Sequence, residues 1–379
     1  MEVKKDCWIF GENSNYFGGI MSDAAVVNPV AEPVISQRKF SEVSLDDPFF
    51  DSLKEGYAEF ADWFARKQDE TAYVSYDEKG WLQGFLYLKK EAGPITDVNP
   101  PLNVTECLKV GTFKVIAHGT KLGERFVKII TDTVLNNGLR LAYLTIFPQH
   151  EPLIRILERF GFIKKGTKDT KNGIEDVYVK DLQYITGDPQ KDYPVVDCRN
   201  NKKWLMAIKP DYHTNLFPDS ILRNESPLML DDIPPTNSIY KVYVGGYLNF
   251  HELSEGDSII IYRTKDNLGP ARYRAVITSL CSVVEVRPAA SFGSEKEFID
   301  FCQNHSVFNV EELKEHFKKN HYAVKISYNI AFPKRPTRGD LIDNGIIVDG
   351  SYTGLCYLSD DAFKKALELG EVREGFVIY

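Results

Sequence analysis

The chain has 379 residues, 43% apolar and 26% charged, a globular composition that excludes a disordered, collagen-like or fibrous chain. Lys and Arg number 46 against 54 Asp and Glu, and the net charge of −8 excludes a globally basic nucleic-acid coat while leaving room for a local basic patch. At roughly 100–200 residues per domain, this length predicts two domains.

Residues 1–35 are rich in Gly, Asn, Ala and Val and carry Pro29 and Pro33. Beyond a strand-like piece at Cys7–Phe10 they show no sustained period, and an N-terminal arm of unknown role is expected there. From residue 36 the pattern sharpens. Asp46 and Asp47 stand before Pro48 as helix-start signals. Phe50, Leu53, Tyr57, Phe60 and Phe64 follow at steps of three and four, one face of a helix. Ala72–Tyr76 and Trp81–Leu88 flank Asp77-Glu78-Lys79-Gly80 and predict a hairpin. After a loop with Pro94, Pro100 and Pro101 comes a strand at Cys107–Val115, a Gly-containing turn at His118–Gly123 and a helix at Glu124–Leu135. Asn137-Gly138 ends that helix. Leu139–Ile146 is apolar apart from Arg140 and Thr145, as a strand buried on both faces is. Glu151–Phe160 predicts a second amphipathic helix closed by Gly161, and Asp176–Leu182 a last strand. The order predicts an α/β domain over 36–183, a mixed central sheet with helices on both faces.

Residues 184–203, with Pro189 and Pro194 in a polar run, predict a linker. The texture then changes to short strands at Trp204–Ile208, Tyr240–Val244, Ser258–Tyr262, Tyr273–Val286 and Ala323–Ile330. Helices are predicted at Glu295–Gln303, Val310–Lys319 and Asp360–Leu369. This predicts, over 204–379, a small β-barrel domain with inserted helices.

The segment from Leu108 to Phe126 carries the most chemistry. A strand runs into a turn with Gly119 and Gly123, and a helix starts at once. The unpaired N–H groups of a helix start, with its dipole, form an anion site, and glycine lets a phosphate approach the main chain. Alone, such a turn more often just links a strand to a helix. His118-Gly119-Thr120-Lys121-Leu122-Gly123 resembles the acetyl-CoA loop of the GNAT acetyltransferases, Arg/Gln-x-x-Gly-x-Gly/Ala, with His118 in place of Arg/Gln and Lys121 in place of the central Gly. Downstream, Glu158, Arg159, Gly161 and Phe162 fall in register with that family's helix ending in Gly-Phe.

The resemblance covers about residues 36–182. It implies a GNAT fold, acetyl-CoA as cosubstrate and acetyl transfer to an amine the sequence does not name. It implies contacts to the cosubstrate from Phe113, Val115, His118, Gly119, Thr120, Lys121, Leu122, Gly123, Glu124 and His150. Leu157 stands where many family members carry a Tyr general acid, and His150 where they carry Asn. The candidates for proton transfer are Glu106, at the start of the motif strand, His118, Tyr143 on the following strand and Tyr178 on the last. Each has a plain alternative: a solvated edge carboxylate, a surface imidazole, or a tyrosine packing in the sheet.

In the C-terminal half, a Gly256-Asp257 turn enters the apolar strand Ser258–Tyr262, a strand returns, and Leu358-Ser359 leads to Phe363 at a helix entry. The layout resembles PUA-like barrels of the ASCH and EVE type. That resemblance implies binding of RNA or a modified base, with Arg263, Arg272, Arg274, Arg335 and Arg338 on phosphates, beside Lys265 and Lys334, and Tyr262 or Tyr273 as stacking platforms. A solvated basic edge is the alternative.

The six cysteines never form a C-x-x-C pair, so neither a zinc site nor a disulfide framework is expected. No metal is expected. No stretch approaches the ~20 apolar residues of a membrane span, and the N-terminal lysines lead into no apolar signal region. A cytoplasmic protein with no membrane partner is expected. Set against the N-acetyltransferase reading are a non-catalytic acetyl-CoA-binding or nucleic-acid-binding regulatory protein and, from the 1–35 arm, an antitoxin-like interaction protein.

Overall fold

The computed structural model describes residues 34–117, 120–217, 232–233, 238–303, 305–351 and 354–379. The arm of residues 1–33, with its expected strand at Cys7–Phe10, and the loop residues His118 and Gly119 lie outside them.

The chain divides into two compact units, the first ending at Asp181 and the second beginning at Leu182. In the first, the elements are β1 (Ile35–Lys39), α1 (Asp51–Gly56), α2 (Phe60–Ala65), β2 (Thr71–Tyr76), β3 (Leu82–Ala92) and β4 (Glu106–Val115). Then come α3 (Leu122–Asn136), β5 (Leu141–Ile146), α4 (Glu151–Arg159), β6 (Ile163–Thr170) and β7 (Gly173–Asp181). Next along the chain are α5 (Pro189–Asp192), β8 (Val196–Asp197), β9 (Lys203–Ile208), α6 (Pro210–Leu216) and β10 (Asp232–Ile233), the last of which belongs to the first unit. The second unit continues with β11 (Tyr240–Gly245), β12 (Ser258–Arg263), α7 (Ala271–Arg274), β13 (Val276–Pro288), α8 (Glu295–Cys302) and α9 (Val310–Lys318). It ends with β14 (Tyr322–Ala331), α10 (Arg338–Asp343), β15 (Leu355–Leu358), α11 (Asp360–Leu369) and β16 (Val377–Ile378).

The first unit is a mixed α/β sheet of order β10-β1-β2-β3-β4-β5-β7-β6. The turn Asp77–Gly80 closes the predicted hairpin, with Asp77 Oδ1 accepting from the N–H groups of Lys79 and Trp81, both at 2.9 Å. Neighbouring residues of β3 serve opposite faces. Phe85 joins a cluster with Phe40, Phe50 and Phe64, its ring 5.3 Å from that of Phe40 and 5.4 Å from that of Phe50. Gly84 instead faces α3, where an added Cβ would stand 2.7 Å from Leu122 Cδ2 and 3.0 Å from the Phe126 ring. The helix lies that close because the sheet offers no side chain there.

Three expectations change. The apolar run Phe50–Phe64 is two short helices, because α1 ends at Gly56 and Tyr57 turns extended at φ −136°, ψ 100°. α3 begins at Leu122, two residues before the expected Glu124, which puts Gly123 in the first helical turn. The strands β1 and β6 were not expected. β6 is polar, Ile163-Lys164-Lys165-Gly166-Thr167-Lys168-Asp169-Thr170, and forms the sheet edge, where one partner is enough and charge protects the open side.

The second unit holds a mixed six-stranded sheet of order β11-β14-β13-β12-β9-β15, in which β12 and β9 run parallel. Alternation along β12 sends Ile259 and Ile261 to one core and Ile260 and Tyr262 to the other. Helices α10 and α11 cover one face through Leu341, Phe363 and Leu367. Leu216, at the end of α6, and Phe250 cover the other. The expected linker 184–203 is folded into this unit: it forms α5 and β8 and buries Tyr193, Val195, Val196 and Cys198. The strand expected from Tyr273 starts at Val276, since Pro270 leads Ala271–Arg274 into the helical turn α7.

Candidate functional site

The site begins where the sheet comes apart. β4 and β5 are parallel neighbours, but only Leu108 with Ala142 and Lys109 with Tyr143 are paired. β4 continues along β3 to the pair Val115–Gly84, and β5 along β7 to the pair Ile146–Asp176. Beyond Lys109 and Tyr143 the two strands therefore diverge, each held by its outer neighbour, and their facing backbone edges border a gap. A bulge sits on β4 at this point. Thr112 pairs with Tyr87 and Val110 with Leu88, which leaves Gly111 as the extra residue. A Cβ at Gly111 would stand 2.6 Å from the Tyr87 ring, so the bulge requires glycine.

A cleft of about 1630 Å³ opens at this gap. Its sheet side is Val110–Lys114, Ile116, Leu144–Phe147 and His150, and its opposite wall is the broken helix segment with Tyr57 and Glu59. The break between α1 and α2 aims Tyr57 inward. Its ring packs 5.3 Å from that of Phe147, and its hydroxyl donates to Glu175 Oε1 at 2.6 Å. Burial, then the hydrogen bond to Glu175, push the Tyr57 phenol far above its ordinary range, so it stays a donor. Glu175 is 4% exposed. At the rim, Asn172 Nδ2 donates to Glu59 Oε2 at 3.1 Å, and this bond, helped by Lys171, holds the Glu59 carboxyl below its usual range.

His150 precedes the first turn of α4. Burial first, then the Lys114 ammonium, lower its pKa against an opposing pull from Glu175. The imidazole is thus neutral at neutral pH and can accept a proton. Lys114 is buried with its ammonium donating to the Phe49 carbonyl and to Ser52 Oγ.

Phe113 and His150 of the expected cosubstrate contacts line this cleft, and Val115 is buried at the end of β4. Thr120, Lys121, Leu122, Gly123 and Glu124 gather at the start of α3, where Lys121 is the residue before the first turn and Thr120 Oγ1 accepts from the Leu122 N–H at 3.4 Å. Thr120, Leu122, Gly123 and Glu124 are buried.

Of the expected proton-transfer residues, His118 lies outside the described residues and the other three sit elsewhere. Glu106 is the exposed first residue of β4, at the opposite end of the strand from the gap. Tyr143 is 1% exposed in a core with Cys107, Val177 and Val179, and donates to Glu91 Oε2. Tyr178 donates to Glu158 Oε1 at 3.1 Å, and burial followed by this bond pushes its phenol up to about 12. None of these three is among the residues lining the cleft. Tyr57, Lys114 and Glu175 were not singled out from the sequence. Nothing marks Glu175 within Gly173–Asp181, and Tyr57 reads as one more apolar step of a helix.

In the second unit, the five arginines have different surroundings. Arg263 is 3% exposed. Arg272 Nη2 pairs with Asp343 at 2.7 Å, and Arg274 Nε donates to Asp266 Oδ1 at 2.9 Å. Arg338 Nη1 donates to the Tyr262 hydroxyl at 3.4 Å, and Arg335 is half-buried. Tyr262 is 2% exposed and cannot serve as a stacking platform, whereas Tyr273 is 68% exposed. Among the described residues there is no group of three or more His, Cys, Asp or Glu placed to hold a metal, and no helix long and apolar enough to cross a membrane.

No family model matches the chain, and no curated protein matches its sequence. Solved structures do. A polyamine N-acetyltransferase from Drosophila melanogaster is 15% identical, with the match covering 40% of this chain and 100% of that one at a TM-score of 0.31. IAA acetyltransferase from Bacillus cereus is 11% identical over 39% of this chain and 98% of that one, at 0.30. An ASCH protein from Zymomonas mobilis is 10% identical over 44% of this chain and 95% of that one, at 0.30. At these identities and scores the likeness is one of fold over part of the chain.

Proposed function

We propose that the first unit transfers an acetyl group from acetyl-CoA to an amine in the cleft between β4 and β5. The observation that carries this reading is the parting of two parallel strands around a glycine bulge, with a neutral imidazole and a buried carboxylate on the same cleft. Acetyl-CoA supplies the activated acyl group. The β4 edge beyond Lys109 offers backbone N–H groups to a carbonyl oxygen that gains charge during attack. The C–N bond forms as the thioester C–S bond breaks. His150, kept unprotonated by burial and the Lys114 charge, takes the proton from the attacking nitrogen, and CoA leaves as a thiolate that is protonated from solvent. Glu175 and Tyr57 hold the amine in line. The phosphates of the cosubstrate are assigned to the start of α3, from Thr120 to Glu124, by the strand–turn–helix order. The test is calorimetry with acetyl-CoA together with thiol release in the presence of amines. Binding by the native chain and its loss in Gly123→Asp are expected. A Gly123→Asp variant that binds as tightly as the native chain overturns the phosphate assignment, and a native chain that binds no acetyl-CoA overturns the reading.

A second reading concerns the other unit, which we infer to recognise single-stranded nucleic acid at α7. The observation that favours it is Tyr273, 68% exposed between Arg272 and Arg274. A phosphate there competes with Asp343 and Asp266 for the two guanidinium groups. Filter binding of the full chain to single-stranded RNA at low salt tests this. Loss of binding in Tyr273→Ala supports it, and no binding by the native chain overturns it.

A further inference from the structure

The charge on the cleft walls narrows the acceptor, an inference that rests on the acetyl-transfer reading above. Six carboxylates line the cleft against two lysines. Both lysines are engaged, Lys114 by the Phe49 carbonyl and Ser52 Oγ and Lys168 by Asp97. Of the acids, Asp51 pairs with Lys54, Glu151 with Arg155 and Glu59 with Lys171, so a ligand ammonium at Glu59 takes the place of the Lys171 side chain. The acids are ordered. Asp51, Glu55 and Glu59 recur every four residues along the α1–α2 wall, and Glu175 lies deeper, 4% exposed. Tyr57 donates to Glu175 and also stands under the field of Glu59, so both carboxylates lie near one phenol. Asn172, which holds Glu59, precedes Glu175 by three residues, a separation of ~10 Å along an extended chain. The same walls carry the rings of Trp63, Trp81 and Phe147. Aromatic faces and carboxylates together favour organic cations, and a buried carboxylate gains most from a matching positive charge.

We propose that the acceptor is a linear diamine or polyamine. Its reacting nitrogen enters at Glu175 and His150. Its far ammonium is held by Glu59 and Glu55 at the rim. The deep nitrogen gives up its proton to His150 before attack, while the far one stays charged and orients the chain.

The test uses the full-length protein and compares putrescine and spermidine with butylamine and aminobutanol, which match in length but lack the second charge. Calorimetry without acetyl-CoA should show the dications binding at least ~10-fold more tightly, a difference of about 1.4 kcal/mol. In thiol-release assays, the ratio of kcat/KM for putrescine to that for butylamine should exceed ~10 and should collapse in Glu59→Gln and in Glu55→Gln, through KM more than kcat. Glu55 is exposed and Glu59 half-buried at the rim, and Gln matches Glu in size, so these substitutions leave the fold intact. Equal binding of butylamine and putrescine overturns the proposal. A ratio that Glu59→Gln and Glu55→Gln both leave unchanged overturns the placement of the far ammonium. A protein that acetylates butylamine and putrescine equally well keeps the acetyl-transfer reading and loses this one. Absence of acetyl-CoA binding does the reverse, since the amine titration stands without it.

Discussion

Tyr57 and Glu175, 118 residues apart in the chain, meet across 2.6 Å on one wall of the cleft. The contact joins the break between α1 and α2 to the start of β7, just after the β6–β7 turn, and it sets the inner shape of the site.

Removing that hydroxyl tests the contact. Tyr57→Phe keeps the ring on Phe147 and leaves a buried carboxylate with one donor fewer. A hydrogen bond to a charged group contributes about 1.5–3 kcal/mol, so kcat/KM for acetyl transfer should fall by at least ~10-fold. Tyr143→Phe is the control, because its hydroxyl serves Glu91 outside the cleft. It should lower stability in urea by about 1–2 kcal/mol and leave kcat within a few-fold. Equal losses of activity in the two variants would place the chemistry elsewhere.

The pH profile tests His150. Its pKa lies below the ordinary 6.5 because burial and Lys114 disfavour the imidazolium. The base must be unprotonated, so kcat/KM should rise with pH along an acid limb whose midpoint is below 6.5, then level off. His150→Gln should remove the limb together with most of the rate. A midpoint above 6.5 in the native protein contradicts the role of Lys114.

Packing of α3 on the sheet is tested at Gly84. Gly84→Ala puts a methyl within 2.7 Å of Leu122 and 3.0 Å of Phe126. Overpacking of this kind costs about 1–3 kcal/mol, read as a shift in the urea midpoint. Because Leu122 opens α3, acetyl-CoA affinity should weaken in the same variant. No change in either measurement would mean that the helix can move away freely.

In the second unit, His213 should make stability sensitive to acid. It is fully buried, with Nε2 2.9 Å from Thr278 Oγ1. Burial, then Arg263 and Arg335, push its pKa down to about 3. The unfolded chain, with an ordinary value near 6.5, binds a proton that the folded state refuses. The stabilisation is therefore complete above pH 6.5 and is lost by about 1.4 kcal/mol per unit as the pH falls towards 3. Urea unfolding at successive pH values should show this slope, and His213→Leu should flatten it. An unchanged slope in that variant assigns the acid sensitivity to other groups.

Taken alone, the sequence determined the elements that local chemistry can specify. Asn137-Gly138 and Gly161 end helices because Gly138 and Gly161 adopt φ of +64° and +76°. Leu139–Ile146 reads as a buried strand because both its faces are apolar, and Asp77–Gly80 reads as a turn because Asp77 caps it. Apolar periodicity, turns and glycines set the expected order of strands and helices, and the likeness of His118–Gly123 and Gly161-Phe162 to one family agreed with it. Only the tertiary structure decided what those elements enclose. Periodicity reports which face of a segment is apolar, not where the segment breaks, so Tyr57 counted as a core step until Gly56 ended α1 and turned the ring to Glu175. A strand sequence does not say which neighbour it leaves, so the parting of β4 from β5 after Lys109 was invisible. The charge of a side chain does not reveal its partner: Arg272 and Arg274 face Asp343 and Asp266, which a phosphate would have to displace. Glu106, Tyr143 and Tyr178 carry the right groups, yet none of them lines the cleft, because placement across a sheet depends on register between distant segments.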